Sequence, residues 1–144
     1  MSERWKPSVT VAAVIERDGR YLLVEEHTPE GLRLNNETLE ETTHAFTPQA
    51  LVGVYLSRFQ RGAEDITYLR FAFCGDLGPA MAGRSLDQGI VRTLWLTPDE
   101  VRASAARHRS PLVLRCMEDH LAGRRYPLDL LSTDASVFSS ARRA

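Results

Sequence analysis

The stretch Glu37-Thr38-Leu39-Glu40-Glu41-Thr42-Thr43-His44-Ala45-Phe46 places three carboxylates within five residues, at spacings i, i+3 and i+4. In a helix that spacing stacks all three on one face. Three like charges on one face repel, so an unaided helix gains nothing from them. A hard divalent cation such as Mg²⁺ prefers oxygen ligands and turns the same repulsion into a binding site. The plainer reading is a solvated acidic first turn, which the helix macrodipole favours. On spacing alone the plainer reading is the commoner outcome.

Upstream of this segment, Val9 to Ile15 is rich in β-branched residues and reads as a buried strand. Arg17-Asp18-Gly19-Arg20 supplies a tight turn, and Tyr21-Leu22-Leu23-Val24 returns as a second strand. His27 to Gly31 reads as a loop and Leu32-Arg33-Leu34 as a short strand. The acidic helix is expected to end near Thr43 to Phe46, with Pro48 as its stop. Downstream, Gln49 to Phe59 and Thr67 to Leu77 are long strand candidates joined by the polar loop Gln60 to Asp65. Gly78 to Gly83 reads as a loop and Ile90 to Leu96 as a further strand.

Thr97-Pro98-Asp99-Glu100 has the form of a capping box and starts a helix expected to reach about Arg107. Ser110-Pro111 repeats the signal before an amphipathic helix over Leu112 to Leu121, with Gly123 as its stop. Tyr126 to Leu131 is expected to be extended and to pack back on the domain. The elements make one domain over residues 1–131, with a Ser-rich tail over 132–144. The fold class is α/β, a mixed sheet with helices on its faces.

Composition narrows the function. Hydrophobic content of 43% and charged content of 26% are those of an ordinary globular domain. A net charge of −1 gives no general pull toward a nucleic-acid polymer or a membrane surface. No run is long and apolar enough to span a bilayer. Met1-Ser2-Glu3-Arg4-Trp5 does not look like a secretory leader, and Cys74 and Cys116 form no metal-like pair. The expectation is a reduced, cytoplasmic protein with buried thiols, monomeric or homodimeric.

The acidic segment resembles the second half of the Nudix box, G-x5-E-x7-R-E-U-x-E-E-x-G-U, where U is bulky and apolar. Glu37 matches the E after R, and Glu40 and Glu41 match the E-E pair. Asn36 stands at the Arg position, and Thr43 and His44 stand where the pattern has Gly and an apolar residue. The first half is absent: Leu34-Asn35-Asn36 runs straight into the acidic segment, a loss of roughly 15 pattern positions. The likeness extends through Lys6-Pro7, Val9 to Ala12, Arg33-Leu34-Asn35, Leu69-Arg70-Phe71, Trp95, Arg109-Ser110-Pro111-Leu112-Val113 and Arg125-Tyr126-Pro127-Leu128. Those pieces are similar to the NudJ-like branch of Nudix hydrolases.

The resemblance implies an α/β/α sandwich and Mg²⁺-dependent hydrolysis of diphosphate linkages, with Mn²⁺ as a substitute. For this branch it implies phosphate release from nucleoside di- and triphosphates and thiamine-type pyrophosphates. Phosphoryl transfer is mostly positioning and charge neutralisation. Glu40 and Glu41 would hold the metal, with Glu37 a further ligand or the group orienting the attacking water. Asp87 is a candidate outer ligand or base because families of this kind draw one from that region; as a residue of Ser85-Leu86-Asp87-Gln88-Gly89 it reads equally well as a turn residue.

Arg33 and Arg70, on strands, are the substrate-binding candidates. Arg107, Arg109, Arg124 and Arg125 have the guanidinium fork that suits phosphate, yet such arginines more often sit solvated or pair with nearby acids. His27 is a candidate for the cleft, while His44, His108 and His120 read as surface or core-edge residues. Trp95 and Tyr126 read as core, with a base or thiazole stacking on one of them as the alternative. Two functions compete: a pyrophosphohydrolase acting on a small phosphorylated substrate, and a catalytically impaired relative that binds nucleotides or other partners. The carboxylates favour the first and the missing half-box favours the second.

Overall fold

The computed structural model describes residues 4–36, 44–80 and 90–138. Seven strands and two α-helices follow in order: β1 (Ser8–Val14), β2 (Glu16–Arg17), β3 (Arg20–Thr28), β4 (Gly31–Asn36), β5 (His44–Arg61), β6 (Glu64–Ala80), β7 (Ile90–Leu96), α1 (Pro98–Ala103) and α2 (Leu112–Leu121). They form two sheets. One runs β1-β6-β5, with β1 parallel and β5 antiparallel to β6, so it is mixed. In the other, β3 pairs antiparallel with β2, β4 and β7. The α/β class and the mixed sheet are as the sequence implied.

The turn between β2 and β3 follows from its residues. Asp18 and Gly19 both take positive φ, 54° and 78°, which a tight hairpin needs at its two central positions. The capping box of α1 also forms: Glu100 N–H donates to Thr97 Oγ1 at 3.2 Å, and Thr97 N–H donates to the Glu100 carboxylate at 2.9 Å.

Several boundaries move. The helix starting at Pro98 ends at Ala103, and a separate 3-10 turn covers Ala105–Arg107. Tyr126 to Leu131 is not wholly extended, because Leu128–Leu130 forms a 3-10 turn. The expected loop at His27 to Gly31 starts later, since His27 and Thr28 pair with Leu32 and Gly31. The acidic helix does not continue to Phe46, because β5 begins at His44 and runs through Pro48. Pro48 lacks an amide proton, and the ladder accommodates it at a register shift between Pro48 and Ala50. Of the tail, Ala135–Phe138 is described as a 3-10 turn.

The core lies between the two sheets and under α2. Ala12, Val14, Val52, Tyr55, Ala72 and Cys74 of the mixed sheet meet Tyr21, Leu23 and Leu34 of the other sheet, and Val113, Cys116 and Met117 of α2. Both thiols are buried there. A smaller cluster of Ala13, Ile15 and Leu22 is backed by Phe46, Leu77 and Trp95 on the opposite face.

Register fixes what the two faces of the mixed sheet carry. The rows Ser8–Tyr68–Ser57 and Thr10–Arg70–Tyr55 lie on the α2 side, together with Ala12 and Ala72. Val9–Leu69–Leu56 and Val11–Phe71–Val54 lie on the other side. There Val9, Val11, Val54 and Leu56 are between 49% and 64% exposed, an apolar patch of the kind proteins normally cover.

Candidate functional site

A cavity of about 550 Å³ opens where the two sheets diverge beyond the core. Its walls come from β1 and β6 (Thr10, Tyr68, Arg70), β5 (Ser57, Phe59), the β3–β4 hairpin (Glu26, Pro29, Arg33, Asn35) and the approach to α2 (Arg109, Ser110, Pro111). Arg33 and Arg70, the two arginines singled out from sequence, therefore share one cavity. Glu37, Glu40, Glu41 and Asp87 lie outside the described residues, and so does the acidic helix itself. Among the described residues no three His, Cys, Asp or Glu side chains gather as a metal would require.

Arg70 sits at the junction of cavity and core. It donates to Asn36 Oδ1 at 2.7 Å and to Asn35 Oδ1 at 3.2 Å, both neutral amides, and meets no carboxylate among the described residues. Its Nε is buried without a partner among the described residues, as is Thr10 Oγ1 in the neighbouring register position. Burial pushes the Cys116 thiol up, against the pull of the Arg70 guanidinium, so Arg70 also reaches toward the floor of the core. Arg33 donates to the Leu32 carbonyl oxygen at 3.0 Å and meets no carboxylate among the described residues.

Two buried carboxylates that sequence reading passed over organise the rest. Glu25 and Glu26 are 3% and 8% exposed at the end of β3. Glu25 is held by Arg92 at 3.1 Å and by a short contact with Arg107. Burial pushes its carboxyl up, but these two arginines outweigh that and hold it below the usual range. Glu26 accepts from Arg109 at 3.0 Å and from Asn35 Nδ2 at 3.3 Å. The Arg109 amide donates to the Leu34 carbonyl at 2.7 Å, so the segment before α2 docks along β4. Ser110 and Pro111 are thereby set in the cavity wall. The signal was present in sequence: Glu25-Glu26 follows an apolar run in the strand, and carboxylates buried there need cationic partners.

The remaining arginines are structural. Arg124 pairs with Asp119 at 3.5 Å, and Asp119 also accepts from Tyr55 at 2.8 Å and Arg115 at 3.1 Å. Arg125 Nη2 donates to His120 Nε2 at 2.9 Å, so the neutral ring carries its proton on Nδ1, 2.7 Å from the Tyr21 hydroxyl. Arg125-Tyr126 anchors the chain end instead of lining the cavity: Tyr126 and Leu51 exchange two backbone hydrogen bonds of 2.8 Å. Tyr126 is not core, at 42% exposed, and Trp95 packs on the second cluster with Arg17 over its ring. His27 is exposed and lines no part of the cavity. His108, half-buried, hydrogen-bonds Ser104 Oγ at 3.1 Å.

The His120 cluster makes stability depend on pH. Burial, then the Arg125 charge, pushes the imidazole down to about 4. A histidine whose pKa is lower folded than unfolded stabilises fully above its unfolded pKa near 6.5. That stability is lost as pH falls from there toward 4. Allowing for partial exposure, the loss is on the order of 1–2 kcal/mol. Thermal unfolding between pH 7 and 4.5 should show a falling Tm that His120→Gln flattens; identical slopes in both proteins would contradict this.

Comparison with known proteins comes down on the same side as the geometry. No protein-family model matches the chain. It is 32% identical to phosphatase NudJ of Escherichia coli K12 and of Shigella flexneri, over 88% of this chain and 92% of each relative. That alignment spans 145 positions, while 88% of 144 residues is about 127, so roughly 18 positions find no residue here. The shortfall is about the size of the missing half-box. A Nudix hydrolase from Nitrosomonas europaea is 46% identical and superposes with a TM-score of 0.78, covering 90% of this chain and 98% of that one. A MutT Nudix hydrolase from Burkholderia pseudomallei, 18% identical with a TM-score of 0.59, shares the fold. With cavity, sheet order and these relatives in agreement, the chain belongs to the NudJ-like branch of the Nudix hydrolases.

Proposed function

We propose that the cavity binds the diphosphate of a small phosphorylated substrate and that Glu37, Glu40 and Glu41 bring Mg²⁺, or Mn²⁺ in its place, to it. The observation that carries this reading is the Arg70–Asn36 hydrogen bond of 2.7 Å. Asn36 is the residue before Glu37, so the acidic segment begins one residue from a side chain that Arg70 holds at the cavity. Three carboxylates form a donor set that suits a hard cation. The bound metal would neutralise charge developing on the phosphoryl oxygens. The chain's own work is positioning. Arg70 and Arg33 hold the diphosphate, Glu26 keeps Arg109 at the wall, and Glu41 or Asp87 takes the proton of the attacking water. The substrates that fit are nucleoside di- and triphosphates and thiamine-type pyrophosphates, with release of phosphate, in a cytoplasmic monomer or homodimer.

Arg70 supplies a direct test. Arg70→Lys keeps the charge and loses the fork that bridges substrate and amides. In the chain with the box completed, KM for diphosphate substrates should rise about tenfold. An unchanged KM would remove Arg70 from the site.

The second reading is an impaired module, and two observations favour it. The alignment leaves roughly 18 positions without a residue, and the face bearing Val9, Val11, Val54 and Leu56 is uncovered. If helical, a segment of that length would make several turns, enough to cover two cross-strand rows. In this reading the chain keeps the substrate cavity and loses the chemistry.

A further inference from the structure

The cavity is polarised along the strands. Passing from the Arg70–Tyr55 row to the Tyr68–Ser57 row and on to the Ile66–Phe59 row, each step is two residues, about 7 Å. Tyr68 and Phe59 therefore lie beyond Arg70 on the same face of the sheet, away from the Asn35–Asn36 end. Two guanidinium groups at this far end are already paired with carboxylates, while Arg33 Nη1 lies over Gly31 between the two ends. Arg58 makes two 2.8 Å hydrogen bonds to Asp65, and Arg61 pairs with Glu30 at 2.7 Å. The second pair ties β5 to the β3–β4 turn, which holds Pro29 against the cavity. One end of the cavity thus offers the Arg70 guanidinium, which meets no carboxylate among the described residues, and the other offers two aromatic rings, a proline and hydroxyls. Tyr68 is half-buried, and its hydroxyl has no partner among the described residues, so no internal hydrogen bond commits the ring.

We infer that the far end is a ring subsite, in which Tyr68, with Phe59 and Pro29, stacks on a flat heteroaromatic ring of the substrate while the diphosphate lies toward Arg70. The proposal rests on the diphosphate reading given above and adds the determinant of what the diphosphate is attached to. Stacking on an aromatic side chain tolerates any ring with a π-face, so a nucleobase and the pyrimidine or thiazole of a thiamine-type ligand present the same chemistry. Trp95 and Tyr126, for which stacking was the alternative to a core role, do not line the cavity.

Binding can be measured on the chain as it is, without turnover, by titration calorimetry with ADP, thiamine diphosphate and methyl diphosphate. Tyr68→Ala should weaken ADP or thiamine diphosphate, whichever the unaltered chain binds more tightly, by roughly tenfold or more. It should leave methyl diphosphate unchanged, and Tyr68→Phe should restore the loss. A loss confined to ADP identifies a nucleobase as the ring, and a loss confined to thiamine diphosphate identifies a thiamine ring. Equal weakening of all three ligands, or no restoration by Phe, makes Tyr68 a structural wall and overturns the proposal. So does unchanged affinity for both ring ligands. If methyl diphosphate fails to bind the unaltered chain while the ring ligands bind and respond to Tyr68, the diphosphate reading fails and the ring subsite stands.

Discussion

Inserting the missing half of the box, G-x5-E-x7-R, between Asn36 and Glu37 is expected to raise Mg²⁺-dependent phosphate release by roughly a thousandfold or more over the 144-residue chain. The argument is one of length and placement. As it stands, only seven residues separate Asn36 from the start of β5 at His44, and even an all-helical run of that length would make under two turns, too short to be stable without packing. It also lacks the loop that would carry a further glutamate and backbone amides to the substrate. The insertion restores both and gives the uncovered valines and Leu56 a partner, so Tm should rise with activity. Robust turnover by a mass-verified 144-residue chain would show that the half-box is dispensable.

The second large effect belongs to Glu41. In the completed chain, Glu41→Gln keeps the shape of the side chain and removes the charge. Loss of a metal ligand removes several kcal/mol of transition-state stabilisation, roughly a thousandfold or more in kcat/KM. Raising Mg²⁺ should recover part of this if the carboxylate is a ligand and none of it if Glu41 acts only as a base. An unchanged kcat/KM would end the assignment of Glu41 altogether.

The elements that local chemistry dictates were legible in sequence. Asp18-Gly19 specifies its turn, Thr97-Pro98-Asp99-Glu100 its cap, and the β-branched run at Val9 its strand, although only the second half of that strand is buried as expected and Val9 and Val11 are exposed. Arg33 and Arg70, singled out because they stand on strands, do line one cavity. The cavity's architecture was not legible. Glu25 and Glu26 look like solvated charges until the segment from Arg107 to Arg109 docks beside them, a contact more than 80 residues distant in sequence. The ring end depends on the register between β5 and β6, which no local propensity encodes. Arg125-Tyr126 misled in the opposite direction: its spacing marks it, but its partners, His120 and Leu51, make it an anchor.

Orthophosphate and pyrophosphate release, followed separately with Mg²⁺ present and absent, tests the account most directly. The panel on the completed chain comprises nucleoside di- and triphosphates, thiamine diphosphate, NADH, ADP-ribose and diadenosine polyphosphates. The cavity at Arg70, where Arg58, Arg61 and Arg109 are already paired with carboxylates, predicts Mg²⁺-dependent orthophosphate release from the first three. Preference for NADH, ADP-ribose or diadenosine polyphosphates would contradict the substrate reading, and hydrolysis indifferent to Mg²⁺ would contradict the role given to Glu37, Glu40 and Glu41.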